Sequence, residues 1–246
     1  MARPAALADL YLHRAHTLRS PAADASHPGS RPFGRDTLAS APRQLLREGR
    51  WANAVVFVIE HRGERWTVKD FRPRGFIVRN TIGRILVGRE TAGLRRLQGV
   101  AGVPQCAFRI DAHALAYLFV PAKHMSGSNP PPAGFFAAFE RLLNQVHAVG
   151  GLVHLDTRNR RNVLVSETGE PVLIDFQSQV GTRWMPAAMR RWIERFDMAG
   201  VYKHWARISP ETIDESRRDD LRRMNRWRRL WFLRGYLGAR KTTSAK

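Results

Sequence analysis

The chain reads as a strand-rich first half joined to a helical second half. Residues 54–60 (Ala-Val-Val-Phe-Val-Ile-Glu) and 65–71 (Arg-Trp-Thr-Val-Lys-Asp-Phe) are rich in β-branched and aromatic side chains and flank Arg62, Gly63 and Glu64. This predicts a β-hairpin with Lys69 on its second strand. Apolar and small positions at helical spacing over 89–97, closed by Gly99 and Gly102, put Glu90 on a short helix, and strands are expected over 105–110 and 114–120. After a Gly/Ser/Pro-rich linker at 126–132, Phe135, Phe136, Phe139, Leu142, Leu143 and Val146 form the stripe of a helix over 135–149. Two short apolar strands follow, around Val163-Leu164-Val165 and Val172-Leu173-Ile174, on either side of the turn residues 167–170. Before all of this, residues 1–40 are rich in Ala, Pro, Ser and His, which predicts one short helix over 5–16 and otherwise loose or disordered chain.

Composition narrows the setting. A chain of 246 residues, 43% hydrophobic, can bury a sizeable core. The single Cys106 makes no intramolecular disulfide, and no Cys/His cluster has zinc-site spacing. Asp9, His13 and Arg14 interrupt the N-terminal apolar pattern, and no run approaches about 18 apolar residues, so a cytoplasmic protein is expected. Charge stands out. The 41 basic residues, 36 of them arginine, outweigh 21 acidic ones to give +20, a surface suited to polyanions. Base composition of the encoding genome is the competing source of so much arginine.

The chemistry gathers in Gly151-Leu-Val-His-Leu-Asp156-Thr-Arg-Asn-Arg-Arg-Asn162-Val-Leu-Val165 and Pro171-Val-Leu-Ile-Asp175-Phe176-Gln177. Each segment is a short apolar strand that delivers polar residues at one end. His154-x-Asp156 followed by Asn162-Val-Leu-Val165 resembles the catalytic loop of the protein-kinase-like superfamily, and Leu173-Ile-Asp175-Phe176 resembles its Asp-Phe-Gly metal-binding segment. Val68-Lys69 resembles the strand that carries the phosphate-binding lysine, with Glu90 on the following helix as its partner. The resemblance covers roughly residues 50–205. It implies an α+β bilobal fold, with a small antiparallel sheet plus helix in the N-lobe (41–125), a mainly helical C-lobe (126–210), a basic C-terminal segment (211–246), and ATP between the lobes.

The resemblance also implies roles. Asp156 would orient the acceptor hydroxyl and take its proton, Asn162 and Asp175 would hold Mg2+, Lys69 would hold the α/β-phosphates and Glu90 would fix Lys69. Arg158 would offset phosphate charge, His154 would bond the loop backbone in support, and Asp197 in the segment 197–203 would brace the loop. A purely structural reading, in which His154, Asp156 and Asn162 cap a turn, stands beside this one, as does a nucleotide-binding pseudokinase. The family pattern is altered at three points. Asn162 follows Asp156 by six positions rather than five, which asks for a one-residue bulge or for Asn159 as the metal ligand. Residues 46–53 hold one glycine where a glycine-rich phosphate loop is usual, leaving Arg50 or Asn53 to touch the triphosphate. Gln177 replaces the glycine, and 178–185 is too short for a regulated activation loop.

These departures point to the compact atypical branch, which includes lipopolysaccharide-core (Kdo) sugar kinases and RIO-like kinases. The expected function is ATP-dependent transfer to a hydroxyl of an anionic acceptor, a lipid-linked glycan first and a protein serine or threonine second. Leu221, Met224, Trp227, Leu230, Trp231, Leu233 and Leu237 lie near one helical face among arginines. This stripe is read either as a helix docked on the larger lobe or as peripheral contact of 217–240 with the inner face of an anionic membrane. RNA is the less favoured polyanion, because no motif interleaves aromatics with the basic residues.

Overall fold

The computed structural model describes residues 31–49, 51–126 and 129–230, with backbone alone for 228–230. The helix expected over 5–16, Arg50 and the tail beyond 230 lie outside the described residues. The chain forms two compact units, Met1–Thr91 with Gln105–Phe119, and Ala92–Pro104 with Val120–Lys246. Compared with the boundary expected at 125, the first unit ends at Phe119, and 92–104 group with the second.

The first unit is an antiparallel sheet with helix α1 (Arg35–Ser40) and the helical run that leads into α2 (Arg84–Arg96). Strands β1 (Gln44–Arg47), β2 (Val55–His61), β3 (Glu64–Asp70), β4 (Phe108–Arg109) and β5 (Ala114–Leu118) lie in the order β1-β2-β3-β5-β4. The hairpin turn is tight because Arg62 and Gly63 both take positive φ (53° and 77°), the geometry that matches the strands' right-handed twist. Strand alternation then sorts β3. Trp66 and Val68 join Phe33, Phe57, Ile59 and Phe108 in the core, and Lys69 and Thr67 point to the opposite face. The rings of Phe33, Trp66 and Phe108 meet edge to face at 5.0–5.6 Å.

Helix begins well before the expected residue 89. A turn at Phe76–Val78 runs through a π-helical turn at Arg79–Gly83 into α2. Gly83 is required there, because a Cβ would stand 2.9 Å from the Phe71 side chain. Asn80 Nδ2 and Thr81 Oγ1 donate to the carbonyls of Phe76 and Ile77, at 2.9 and 2.7 Å.

In the second unit, α3 (Phe135–Gly150) buries the expected stripe and stops at Gly151, whose φ of +55° closes the helix C-terminus. Strand β7 (Leu152–Val153) pairs with β10 (Val180–Gly181), while β6 (Ala122–His124), β8 (Val163–Ser166) and β9 (Pro171–Leu173) form a second small sheet. Helix α4 (Ala187–Ile208) starts after Pro186, and α5 (Glu215–Leu230) packs on it. Arg217 stacks over Trp205 and grips Glu140 of α3 at 2.7 Å while Met224 is buried, so the docked reading describes α5 as far as Met224, and Trp227 beyond it is exposed. Among the described residues no helix is long and apolar enough to cross a membrane.

Candidate active site

The first unit holds a buried ion pair of its own. Lys69 is on the central strand β3, opposite Val56 of β2 and Leu115 of β5. Its Nζ donates to Glu90 Oε1 of α2 at 2.6 Å, with both residues at most 5% exposed. A charge pair this dry is retained because each partner offsets the other's cost of leaving water. The single glycine found where a glycine-rich loop is usual lies between β1 and β2. Gly49 takes φ +73°, and a Cβ there would lie 2.3 Å from the Ala54 carbonyl oxygen.

The carboxylates Asp156 and Asp175 lie in the second unit. After β7 the chain enters the loop through His154 and Leu155, and both backbone N–H groups donate to Asp197 of α4, at 2.7 Å to Oδ2 and 3.0 Å to Oδ1. Thr157 Oγ1 donates to the Asp197 backbone carbonyl at 2.7 Å, and His147 Nε2 lies 3.0 Å from Asp197 Oδ2. Asp197 is fully enclosed. Burial alone would raise its pKa, but the hydrogen bond and charge of His147, with the charge and N–H of His154, hold it below the usual carboxylate range. Leu155 is thereby kept at φ +64°, a left-handed conformation that costs a leucine about 1 kcal/mol.

His154 ties the two expected motifs together. Its Nδ1 accepts from Asp156 N at 3.2 Å and its Nε2 lies 3.0 Å from Ile174 O, a carbonyl that can only accept, which sets the roles of the two ring nitrogens. The ring packs edge-on against Phe176 at 4.7 Å. The residue between, Asp175, takes φ +70° before a 3₁₀ turn at Phe176–Ser178. That left-handed residue is the aspartate itself, and Gln177 sits inside the 3₁₀ turn, where no glycine is needed.

The six-residue interval is absorbed by a 3₁₀ turn at Arg160–Asn162, capped by Asn159, whose Oδ1 accepts from Arg161 N at 3.2 Å. Asn162 is buried and its Nδ2 donates to Asp156 Oδ2 at 2.8 Å and to Asp156 O at 3.2 Å, whereas Asn159 is exposed and reaches Asp156 Oδ2 at 3.3 Å. Burial raises the Asp156 carboxyl and the neighbouring Asp175 charge adds to this, against the hydrogen bonds from Asn159 and Asn162. Arg158 is turned to the helices: its guanidinium donates to Ala199 O at 3.4 Å and Asn225 Oδ1 at 3.2 Å, and its carbonyl accepts from Lys203 Nζ.

Four supporting residues escaped the sequence reading. Gly200 lets the loop lie on α4, since a Cβ there would stand 2.1 Å from Thr157 Oγ1. His204 Nε2 bonds Thr157 O at 3.1 Å, and burial, with the Lys203 charge, pushes its pKa down to about 4. His147 and Thr157 complete the shell around Asp197. The i+3 step from Asp197 to Gly200, both facing the loop, is the signal that was present.

Among the described residues no three His, Cys, Asp or Glu side chains cluster as a metal cage. Asp175 and Asn162 fit Mg2+ all the same, because this ion is held by one or two protein oxygens plus substrate phosphates. The Asn162 amide spends its N–H groups on Asp156, and its Oδ1, which accepts from Asn159 Nδ2 at 3.5 Å, would be the oxygen offered to the ion.

No protein-family model matches the sequence, and no curated protein matches it. Solved structures do. The Rio2 kinase of Chaetomium thermophilum in complex with ADP, Mg2+ and phosphoaspartate matches with a TM-score of 0.53 at 18% identity, over 76% of this chain and 63% of that one. A second structure of the same kinase matches with a TM-score of 0.50 at 17% identity, over 74% and 71%. The chain therefore spans under two thirds of the first neighbour's length, and the likeness is one of fold.

Proposed function

We propose that this chain, whose fold is that of the protein-kinase-like superfamily, is an ATP-dependent phosphotransferase that delivers a γ-phosphate to a hydroxyl group. One observation carries the reading: Asp156 Oδ2 accepts from Asn162 Nδ2 at 2.8 Å inside a loop held by a fully buried Asp197. A turn cap does not need such bracing. Phosphoryl transfer does, because it relies on positioning and on charge rather than on covalent chemistry by the protein.

In this reading Asp156 orients the acceptor hydroxyl and takes its proton. Asp175 and Asn162 hold Mg2+, which would neutralise the phosphates when bound, and Asn159 caps the turn. Lys69, fixed by Glu90, binds the α/β-phosphates. His154 and Arg158 position the loop, since the partners of Arg158 are α4 and α5.

The acceptor is proposed to be a sugar hydroxyl of a lipid-linked glycan. Support comes from the segment that follows Asp175, which is pinned directly by Thr182 N to Gly151 O at 2.8 Å and leaves no long loop to receive a peptide. A protein acceptor is the second reading, favoured by the Rio2 kinase likeness.

The test is transfer of labelled γ-phosphate from Mg-ATP into a lysate separated into lipid and protein fractions, comparing wild type with Asp156→Asn. Asp156-dependent label in lipid supports the glycan acceptor, and label in protein supports the second reading. Nucleotide binding with no transfer in either fraction would make the chain a pseudokinase.

A further inference from the structure

The stretch between Asp70 and Glu90 contains five arginines and no acidic residue. On it, Phe76 and Ile77 are 71% and 76% exposed, Ile85 is 60% exposed and Ile82 38%. Four large apolar side chains in ten residues are too many to be scattered surface positions. Arg72 and Arg84 are exposed among them, and the Arg79 guanidinium lies 5.6 Å over the Phe76 ring. The backbone beneath is held firmly. Asn80 and Thr81 bond the carbonyls of Phe76 and Ile77, His113 Nε2 lies 3.0 Å from Asn80 Oδ1, and Phe71 packs against Gly83.

We propose that this helical run is a docking surface for an anionic lipid bilayer, with Phe76, Ile77 and Ile85 entering the interface and the arginines meeting lipid phosphates. Interfacial segments combine this kind of apolar tip with a basic surround, and guanidinium is the cation that pairs best with phosphate oxygens. Charge disfavours the other occupants. Residues 231–246 carry four basic side chains and no acidic one, residues 1–30 carry three arginines against two aspartates, and a second copy brings a net charge of +20. The site also differs from the C-terminal helix, where Arg217 and Arg222 are already paired with Glu140, Asp214, Glu215 and Asp219.

The inference does not rest on phosphoryl transfer, because binding is read without ATP. The full chain is sedimented with vesicles of phosphatidylglycerol and phosphatidylcholine, and with phosphatidylcholine alone. Wild type is expected to bind the anionic vesicles and to lose at least tenfold on the neutral ones. The F76S/I77S variant should lose at least tenfold on anionic vesicles with an unchanged melting temperature, since both side chains are exposed. Each arginine neutralised in R72Q and R84Q should cost about fivefold. Wild-type affinity in F76S/I77S overturns the proposal and moves the contact elsewhere on the chain. Failure of wild type to bind anionic vesicles overturns it outright. Tighter binding to polyglutamate than to vesicles, lost in F76S/I77S, replaces lipid with an acidic protein, and a dimer in light scattering that F76S/I77S abolishes replaces it with a second copy.

Discussion

Gly200 and Thr157 are packed so closely that the glycine's hydrogen is what allows the contact: a Cβ would stand 2.1 Å from Thr157 Oγ1 and 2.8 Å from its backbone carbon. Helix α4 and the loop that carries Asp156 thus share one boundary. Gly200→Ala must move the loop or the helix, and backbone cannot yield as a flexible side-chain tip would. Overpacking of this kind costs about 2 kcal/mol. Thermal unfolding should register that loss, and under the proposed function phosphotransfer should fall further than stability does, because the displaced loop carries Asp156.

The buried pair Lys69–Glu90 predicts an uneven response. Lys69→Met or Glu90→Leu alone removes one partner of a buried charge and should cost about 3 kcal/mol, whereas the double variant should recover part of it. Urea unfolding of all three measures the difference. Nucleotide affinity should fall in every one, which separates the pair's function from its packing.

Helix α3 and the β2–β3 hairpin were legible because their apolar positions keep one period from end to end. The start of α2 was not. Its π turn at Arg79–Gly83 breaks the 3.6-residue repeat, and Phe76, Ile77 and Ile85 face outward, so no inward stripe marks it. Asp156, Asn162 and Asp175 stand out as polar ends of apolar strands. Their support is spread over the chain, with His147 reaching Asp197 across 50 residues and Lys203 reaching the Arg158 carbonyl across 45. Such contacts are set by how helices pack, which local spacing does not encode.

Burial raises the Asp156 carboxyl, so the acid limb of its pH profile should lie above the ordinary aspartate value of about 4. Under the proposed function activity needs the carboxylate and falls as pH drops through that limb. Stability runs the other way. A raised carboxyl pKa favours folding most at low pH, and that benefit is lost as pH rises through the folded value. Asp156→Asn should therefore abolish transfer while leaving the melting temperature at pH 7 unchanged or higher.

His204 is kept neutral by burial, with its pKa pushed down to about 4. A lowered histidine pKa means that stability is complete above about 6.5 and is lost as pH falls towards 4. The loss reaches about 3 kcal/mol at most. Denaturant midpoints taken between pH 7 and 4 should show the decline in wild type and a flatter line in His204→Gln, whose amide still reaches the Thr157 carbonyl.

The interval from Asp156 to Asn162, one position longer than the family pattern, is closed by the 3₁₀ turn at Arg160–Asn162. The contacts from α4 fall before that turn, on residues 154–158. A sequence pattern that fixes the aspartate-to-asparagine interval at five positions passes over this chain. One anchored on the helix, with Asp197 followed three positions later by Gly200, is indifferent to that interval and would gather relatives whose catalytic loops have either length.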